Sequence, residues 1–194
     1  VYRDDKGEIV LPLPALPGVH QIENAGAAIA ALRTWNALHF GFEDFAAGVS
    51  DVCWPGRLQR LRSGKLSACL PDGWELWLDG GHNPAAGAAL ALSVGGWTDG
   101  PVVLVCGMQE NKDVAGFLSP MADAVTRLVA IDLPGTTPGH AAAAIADSAV
   151  TAGIESTVAP SLGAALRSVS GTPGRVLVCG SLYLAGSVLA AEAG

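Results

Sequence analysis

The chain has 194 residues, half of them hydrophobic, and a net charge of -7 with only 11 Lys and Arg residues. This charge argues against a nucleic-acid partner, because phosphate neutralisation needs a basic face. The sequence also lacks any uninterrupted apolar run that approaches the length of a membrane-spanning helix, which is roughly 20 residues. We therefore expect a cytoplasmic protein with no nucleic-acid and no membrane partner.

The first 53 residues predict a small, mainly helical segment. An edge strand is expected at residues 9–11, followed by a proline-rich stretch, a helix over 20–35 and a second helix over 42–52. Pro55-Gly56 then breaks the helix, so we predict a first domain at residues 1–53 and a second at 54–194.

Two amide side chains, Gln21 and Asn24, lie three residues apart near the start of the first predicted helix. They would project from one side of the first turn, where amides can match the donor and acceptor edge of a purine. Capping of the helix start is the alternative interpretation.

The second domain begins with strand patterns and continues as an alternation of strands and helices. Strands are predicted at 57–62, 66–70, 74–78, 102–106, 128–133, 157–159 and 176–179, and helices at 85–95, 114–125, 140–152, 162–169 and from about 180 to 192. This rhythm predicts an α/β fold with a mostly parallel sheet and helices on both faces. Arg57 follows the rigid Pro-Gly turn and is the cation best placed to reach a ligand, unless it is only a solvated strand end.

Polar loops follow three of the predicted strands, after Leu78, Cys106 and Cys179. Ligands of parallel α/β sheets bind outside the carboxyl ends of the strands, so the three loops predict one site at that edge. In the first loop, Asp79-Gly80-Gly81-His82-Asn83-Pro84, Asn83 is the predicted N-cap of the next helix. The alternative is that Asp79 and Asn83 only stabilise the turn.

Several familiar sites are missing from the sequence. It contains no G-x-x-x-x-G-K-[ST] motif, no G-x-G-x-x-G motif and no G-x-S-x-G motif. Its four cysteines lack C-x-x-C spacing and its four histidines lack H-x-x-x-H spacing, so we predict core thiols and no metal site.

Five motifs occur in the order and approximate spacing of one enzyme family. They are G-V-H-Q-I-E-N-A-G-A-A-I-A-A-L, W-P-G-R-L-Q, L-D-G-G-H-N-P, G-M-Q-E-N-K-D and V-L-V-C-G-S-L-Y-L-A-G. Nearly the whole chain thereby resembles the C-terminal part of folylpolyglutamate synthase and bifunctional dihydrofolate synthase, members of the Mur ligase superfamily.

The resemblance implies a Rossmann-like C-terminal domain, preceded by a small helical remnant of an N-terminal ATPase domain that would be its partner. It implies an ATP- and Mg²⁺-dependent ligase of folate biosynthesis and one-carbon metabolism. In that reaction a folate or dihydropteroate carboxylate is phosphorylated to an acyl phosphate, the amine of L-glutamate attacks it, and phosphate leaves.

The resemblance also implies roles for individual residues. For the nucleotide, Asn24 would contact adenine with Gln21 beside it, Arg57 would contact the phosphates, and Asp79 would contact the nucleotide from the C-terminal side. For catalysis, it places His82 and Ser181 near the glutamate and the reacting carboxylate, and Lys112 in the G-M-Q-E-N-K-D motif, where it would orient the loop or pair with an anion.

The chain departs from the family pattern at a few positions. Gly81 replaces an Ala, which we expect to be tolerated, and Asn111 replaces an Asp. The P-loop, the magnesium ligands and the central-domain lysine are absent, so we expect the chain alone to be inactive and to expose apolar residues between 21 and 52. The alternatives are a Mur-type peptidoglycan ligase domain and a non-catalytic nucleotide-binding module.

Overall fold

The computed structural model describes residues 1–35 and 38–193. The chain divides into two compact units, Val1–Pro55 and Gly56–Gly194. The division falls inside the Trp54-Pro55-Gly56 turn, just after the boundary predicted at residues 53 and 54. The assignment of the first unit to the end of an ATPase domain stays a prediction.

The first unit consists of a short hairpin and two helices, β1 (Tyr2–Asp4), β2 (Gly7–Ile9), α1 (His20–Thr34) and α2 (Phe42–Ser50). The predicted strand at residues 9–11 is wrong beyond Ile9, because Ile9 pairs with Tyr2 at the start of β1 and Val10 lies outside the paired region. Arg33 of α1 holds β1 by donating two hydrogen bonds to the Asp4 carboxylate, at 2.7 and 2.9 Å. These bonds lower the pKa of the Asp4 carboxyl.

The first unit buries few apolar side chains. Its core is formed by Ile29, Phe45 and Val49, and a groove of about 400 Å³ runs beside it. Large apolar side chains, among them Ile22 and Trp54, are exposed. The first unit therefore exposes large apolar residues, as predicted.

The second unit contains six strands and five α-helices among its described residues. These are β3 (Gln59–Leu61), β4 (Glu75–Leu78), α3 (Pro84–Val94), β5 (Val102–Cys106), α4 (Val114–Leu118), β6 (Arg127–Ala130), α5 (Ala142–Thr151), β7 (Glu155–Val158), α6 (Leu162–Arg167), β8 (Arg175–Cys179) and α7 (Leu182–Ala193). The strand order is β3-β4-β8-β5-β6-β7. Only the β3–β4 pair is antiparallel, which confirms the predicted mostly parallel sheet.

Both faces of the sheet are covered, and β5 illustrates why. Its five residues are all buried, and alternation sends Val102, Leu104 and Cys106 into one core cluster and Val103 and Val105 into the other. Residues of α3, α4 and α5 belong to the first cluster, whereas residues of α6 and α7 belong to the second. The prediction of helices on both faces is confirmed.

Two predicted elements of the second unit are wrong. In place of a strand at 66–70 the chain forms a 3₁₀-helix, Ser67–Cys69, because the Glu192 carboxylate accepts the N–H groups of Leu66 and Ser67 at 2.8 and 3.2 Å. The helix predicted over 114–125 ends at Leu118 and continues as a 3₁₀-helix, Ser119–Met121. Pro120 lacks the N–H that an α-helix would need there.

None of the helices in the described residues is long and apolar enough to cross a membrane.

Candidate functional site

The three polar loops meet at one edge of the sheet, as predicted. β4, β8 and β5 are neighbouring parallel strands, in which Leu78 pairs with Val178 and Cys106 pairs with Cys179. Hydrogen bonds also join the loops themselves, because the Gly180 N–H donates to the Gly81 carbonyl at 2.9 Å. The carboxyl ends of these strands therefore present one continuous polar rim.

The Asp79 side chain ties two backbone segments together. It is only 6% exposed, and its Oδ2 accepts the Leu58 N–H at 2.8 Å while its Oδ1 accepts the Gly81 N–H at 2.6 Å. Hydrogen bonds from backbone N–H groups favour the ionised carboxylate and compensate for its burial. Asp79 thus stabilises the loop that follows β4 and fastens it to the start of β3.

Arg57 lies between two points of attachment to this loop. The Gly80 N–H donates to the Gly56 carbonyl at 2.8 Å on one side, and the Leu58–Asp79 hydrogen bond lies on the other. Arg57 itself is partly exposed. No carboxylate in the described part of the chain forms an ion pair with its guanidinium, so this cation can bind an anion at the rim.

His82 and Asn83 lie where the loop enters α3. The Gly80 carbonyl is 2.9 Å from His82 Nδ1, and since a carbonyl only accepts, Nδ1 carries the proton and Nε2 of the neutral ring is an acceptor. The Asn83 side chain accepts the Ala86 N–H at 2.9 Å, with Pro84 as the first helical residue. The predicted N-cap is confirmed.

Gly81 has little free space around its Cα. A Cβ atom there would lie 2.9 Å from Asp79 Oδ1, 3.0 Å from the Ala86 Cβ and 3.2 Å from Leu90 Cδ1. The same closeness that lets Gly81 donate to Asp79 leaves little room for a methyl group, and the expectation that Gly is tolerated here in place of Ala stays a prediction.

Ser181 caps the last helix. Its hydroxyl oxygen accepts the N–H groups of Tyr183 and Leu184 at 3.1 and 3.4 Å, and the residue is 1% exposed. Gly180 precedes it with φ of +105°, a conformation that glycine adopts without strain. Ser181 lies at the predicted rim, and its catalytic role stays a prediction.

Lys112 belongs to the loop that follows β5. Its N–H donates to the Gln109 carbonyl at 3.0 Å, and its carbonyl accepts a hydrogen bond from His140 Nε2 at 3.0 Å. His140, whose own N–H donates to the Met108 carbonyl, therefore stabilises this loop. The sequence analysis missed that contribution, because His140 is distant along the chain and follows no motif.

Gln21 and Asn24 contact each other in the first unit. The Asn24 amide donates to Gln21 Oε1 at 3.0 Å, and the Gln21 amide donates to His20 Nε2 at 2.9 Å. Neither side chain caps α1, so the capping alternative is wrong. Arg57, Asp79, His82, Lys112 and Ser181 all belong to the second unit.

Two buried thiols underlie the rim. Cys106 and Cys179 are paired residues of β5 and β8, and both are free and buried, as expected for core thiols. The same expectation is wrong for Cys53, which is exposed after the end of α2, and Cys69 is half-buried. Burial raises the pKa of the Cys179 thiol well above its usual range, and the neighbouring Cys106 thiol and Asp79 carboxylate raise it further. Among the described residues, no group of three His, Cys, Asp or Glu side chains is arranged to hold a metal ion.

Comparison with known protein families identifies the family to which this chain belongs. The family described as "Mur ligase, glutamate ligase domain" matches residues 56–182, which is most of the chain and nearly all of the second unit. The chain belongs to this Mur ligase family.

Two curated relatives represent two branches of Mur-type ligases. The chain is 25% identical over 191 residues to folylpolyglutamate synthase of Lacticaseibacillus casei, covering 96% of this chain and 42% of that protein. It is 32% identical over 125 residues to UDP-N-acetylmuramoyl-L-alanyl-D-glutamate--2,6-diaminopimelate ligase of Corynebacterium efficiens, covering 63% of this chain and 21% of that protein. The chain therefore spans less than half the length of either relative.

A solved structure extends the likeness to the fold. The crystal structure of bifunctional folylpolyglutamate synthase/dihydrofolate synthase from Yersinia pestis, complexed with AMPPNP and Mn ion, superposes with a TM-score of 0.76 at 27% identity. The match covers 96% of this chain and 42% of that one. Of the predicted site residues, only Gln21 and Asn24 fall outside the residues that the Mur ligase family matches.

Proposed function

We propose that this chain is the C-terminal part of an ATP-dependent ligase that joins L-glutamate to a folate or dihydropteroate carboxylate through an acyl phosphate. The P-loop and the magnesium ligands would come from an N-terminal ATPase domain of the same protein, and the chain alone would be inactive. The relatives' names and the domain family support this assignment.

The observation that carries the proposal is the polar rim at the ends of β4, β8 and β5. Three loops with Asp79, Lys112 and Ser181 converge there, beside the partly exposed cation of Arg57. A ligase of this kind must bring a nucleotide, an amino acid and an acceptor carboxylate to one place, and one rim shared by three loops suits that requirement.

The residues present fit a nucleotide. Arg57 would bind its phosphates, since a guanidinium that no described carboxylate pairs with can stabilise the charge that grows on transferring phosphoryl oxygens. Asn24 would bind adenine, and its side-chain amide donates a hydrogen bond to Gln21 Oε1. ATP with Mg²⁺ supplies the phosphoryl group that activates the acceptor carboxylate.

The other predicted residues suit the second half of the reaction. Glutamate must attack as a neutral amine, and the Nε2 acceptor of His82 could take the ammonium proton. His82 and Ser181 would lie near the glutamate and the reacting carboxylate. Lys112 would orient its loop or pair with an anion, and its positive charge would add to that of Arg57.

The Corynebacterium relative favours a second candidate, a Mur-type ligase acting on a peptidoglycan precursor. Its match covers a smaller part of this chain than the folylpolyglutamate synthase match does. The two candidates differ in the acceptor and in the amino acid that is joined, which is 2,6-diaminopimelate in the name of the Corynebacterium relative, and they share the nucleotide-dependent ligation.

The test is ADP release by the complete protein with three acceptors in parallel: dihydropteroate and a reduced folate, each with L-glutamate, and a UDP-linked muropeptide with 2,6-diaminopimelate. We expect glutamate-dependent release with at least one of the two pteridine acceptors. Turnover with the muropeptide alone would establish the second candidate, and the absence of turnover with all three acceptors would favour a non-catalytic module.

A further inference from the structure

Arg57 lies in a short backbone segment that is attached to the Asp79 loop on both sides. On its N-terminal side the Gly56 carbonyl accepts the Gly80 N–H at 2.8 Å. On its C-terminal side the Leu58 N–H donates to Asp79 Oδ2 at 2.8 Å. The position of the Arg57 Cα is therefore set by the loop after β4.

The residue that follows Arg57 has an unusual backbone conformation. Leu58 has φ of +41° and is the one described non-glycine residue with positive φ. A bulky L-residue enters this region only where its surroundings hold it there. Two interactions do so: the Leu58 side chain is 3% exposed within the core, and its N–H is bound by Asp79.

The Asp79 carboxylate is well placed to support this turn and poorly placed to bind phosphates. It is buried, and each of its oxygens accepts a backbone N–H. A carboxylate near a polyphosphate repels it unless a cation lies between them. The family resemblance, in contrast, implies a direct contact between Asp79 and the nucleotide.

We infer that Asp79 is a positioning residue, which holds Leu58 in the left-handed conformation and thereby directs Arg57 toward the rim. This inference rests on the proposed function, because it assigns Arg57 to the nucleotide phosphates. Asp79 contributes to nucleotide affinity through Arg57 and not through a contact of its own.

A double-mutant cycle in the complete ligase tests the inference. Asp79→Asn keeps the side-chain shape but replaces one acceptor oxygen by an NH₂ group that cannot accept an N–H. We expect Asp79→Asn to raise the KM for ATP about tenfold, the size of effect that follows from one charge-assisted hydrogen bond. In the Arg57→Ala background the same change should add less than about twofold, because the residue it positions is gone.

One result of the double-mutant cycle would contradict the inference. If Asp79→Asn raises the KM for ATP by the same factor with and without Arg57, Asp79 contacts the nucleotide directly and the inference is wrong. Ser161→Ala is the matched control, because it removes an N-cap from α6, away from the Asp79 loop. It should lower stability without changing the KM for ATP.

Amide hydrogen exchange of the complete ligase without ligands gives a readout that does not require the proposed function. We expect the Leu58 N–H to exchange at least about tenfold faster in Asp79→Ala, which removes both acceptor oxygens, than in the wild type. A second variant, Leu58→Gly, removes the conformational strain, so Asp79→Asn should destabilise Leu58→Gly less than it destabilises the wild type.

The two readouts separate the inference from the proposed function. If the wild type binds no ATP, the proposed function fails, and the exchange measurement alone then decides whether Asp79 holds this turn. Unchanged protection of Leu58 in Asp79→Ala would overturn the inference whatever the ligand.

Discussion

The main-chain N–H of Leu58 donates a 2.8 Å hydrogen bond to the buried carboxylate of Asp79, across 21 residues of sequence. This bond joins the start of β3 to the loop after β4. It gives a buried acid a structural role in a site where the family resemblance implies a ligand contact.

The chain by itself should not form ADP in a glutamate-dependent manner. Its sequence lacks a G-x-x-x-x-G-K-[ST] loop, which in P-loop proteins binds the nucleotide phosphates. The measurement is a coupled ADP assay on the purified 194-residue chain with either pteridine acceptor. Turnover that depends on glutamate would show that the chain is sufficient and would contradict this prediction.

Gly180→Ala should destabilise the second unit strongly. Gly180 has φ of +105°, and a Cβ there would lie 2.7 Å from the Gly107 carbonyl oxygen and 2.8 Å from Met108 Cγ. Strain and overpacking together predict a loss of about 3 kcal/mol in the free energy of unfolding. Chemical denaturation of the chain measures it.

Gly186→Ala is the matched control for that substitution. Gly186 lies inside α7, and nothing lies within 4 Å of the Cβ that Ala would add. Alanine is the better helix former, so this variant should be more stable by about 0.5–1 kcal/mol. Equal losses at both positions would refute the packing argument.

Ser181→Ala should lower both stability and turnover. Loss of the cap on α7 predicts a decrease of about 1 kcal/mol in the free energy of unfolding. Ser161→Ala removes a comparable cap from α6 and should have a similar effect on stability. If Ser181 also acts at the rim, only Ser181→Ala lowers kcat of the complete ligase; equal kcat values would assign Ser181 to capping alone.

The stability of the chain should fall with alkaline pH through Cys179. The raised pKa of this thiol means that the folded state keeps its proton at pH values where the unfolded state has lost it. Stability is therefore fully present below the usual thiol pKa and falls as pH rises above it. Cys179→Ala should reduce this slope in denaturation curves between about pH 8 and 10, whereas Cys53→Ser, at an exposed position, should leave it unchanged.

Much of the fold follows from local sequence patterns. The uninterrupted apolar run of β5 predicts a strand buried on both faces, and Asn83-Pro84 predicts the start of α3. Polar loops after three such strands predict the rim, because parallel strands end at the same edge. Each of these predictions depends on neighbours within a few residues.

The features that the sequence analysis missed depend on distant partners. The 3₁₀-helix at Ser67–Cys69 forms where a strand was expected because Glu192, 125 residues after Ser67, accepts its N–H. Similarly, the left-handed Leu58 depends on Asp79, which the antiparallel register of β3 and β4 brings near. No local propensity reports such contacts.

We propose that the rim of the second unit binds the nucleotide of a glutamate ligase. Glutamate-dependent ADP release by the complete ligase tests this proposal when Arg57→Ala is compared with Arg62→Ala. Arg62 is exposed and follows β3 at the opposite edge of the sheet, so it controls for the loss of one positive charge. We predict at least about a hundredfold lower kcat/KM for ATP in Arg57→Ala, as is typical of losing a group that stabilises transferring phosphate, and a near wild-type value in Arg62→Ala. Equal values for the two variants would contradict a nucleotide site at this rim.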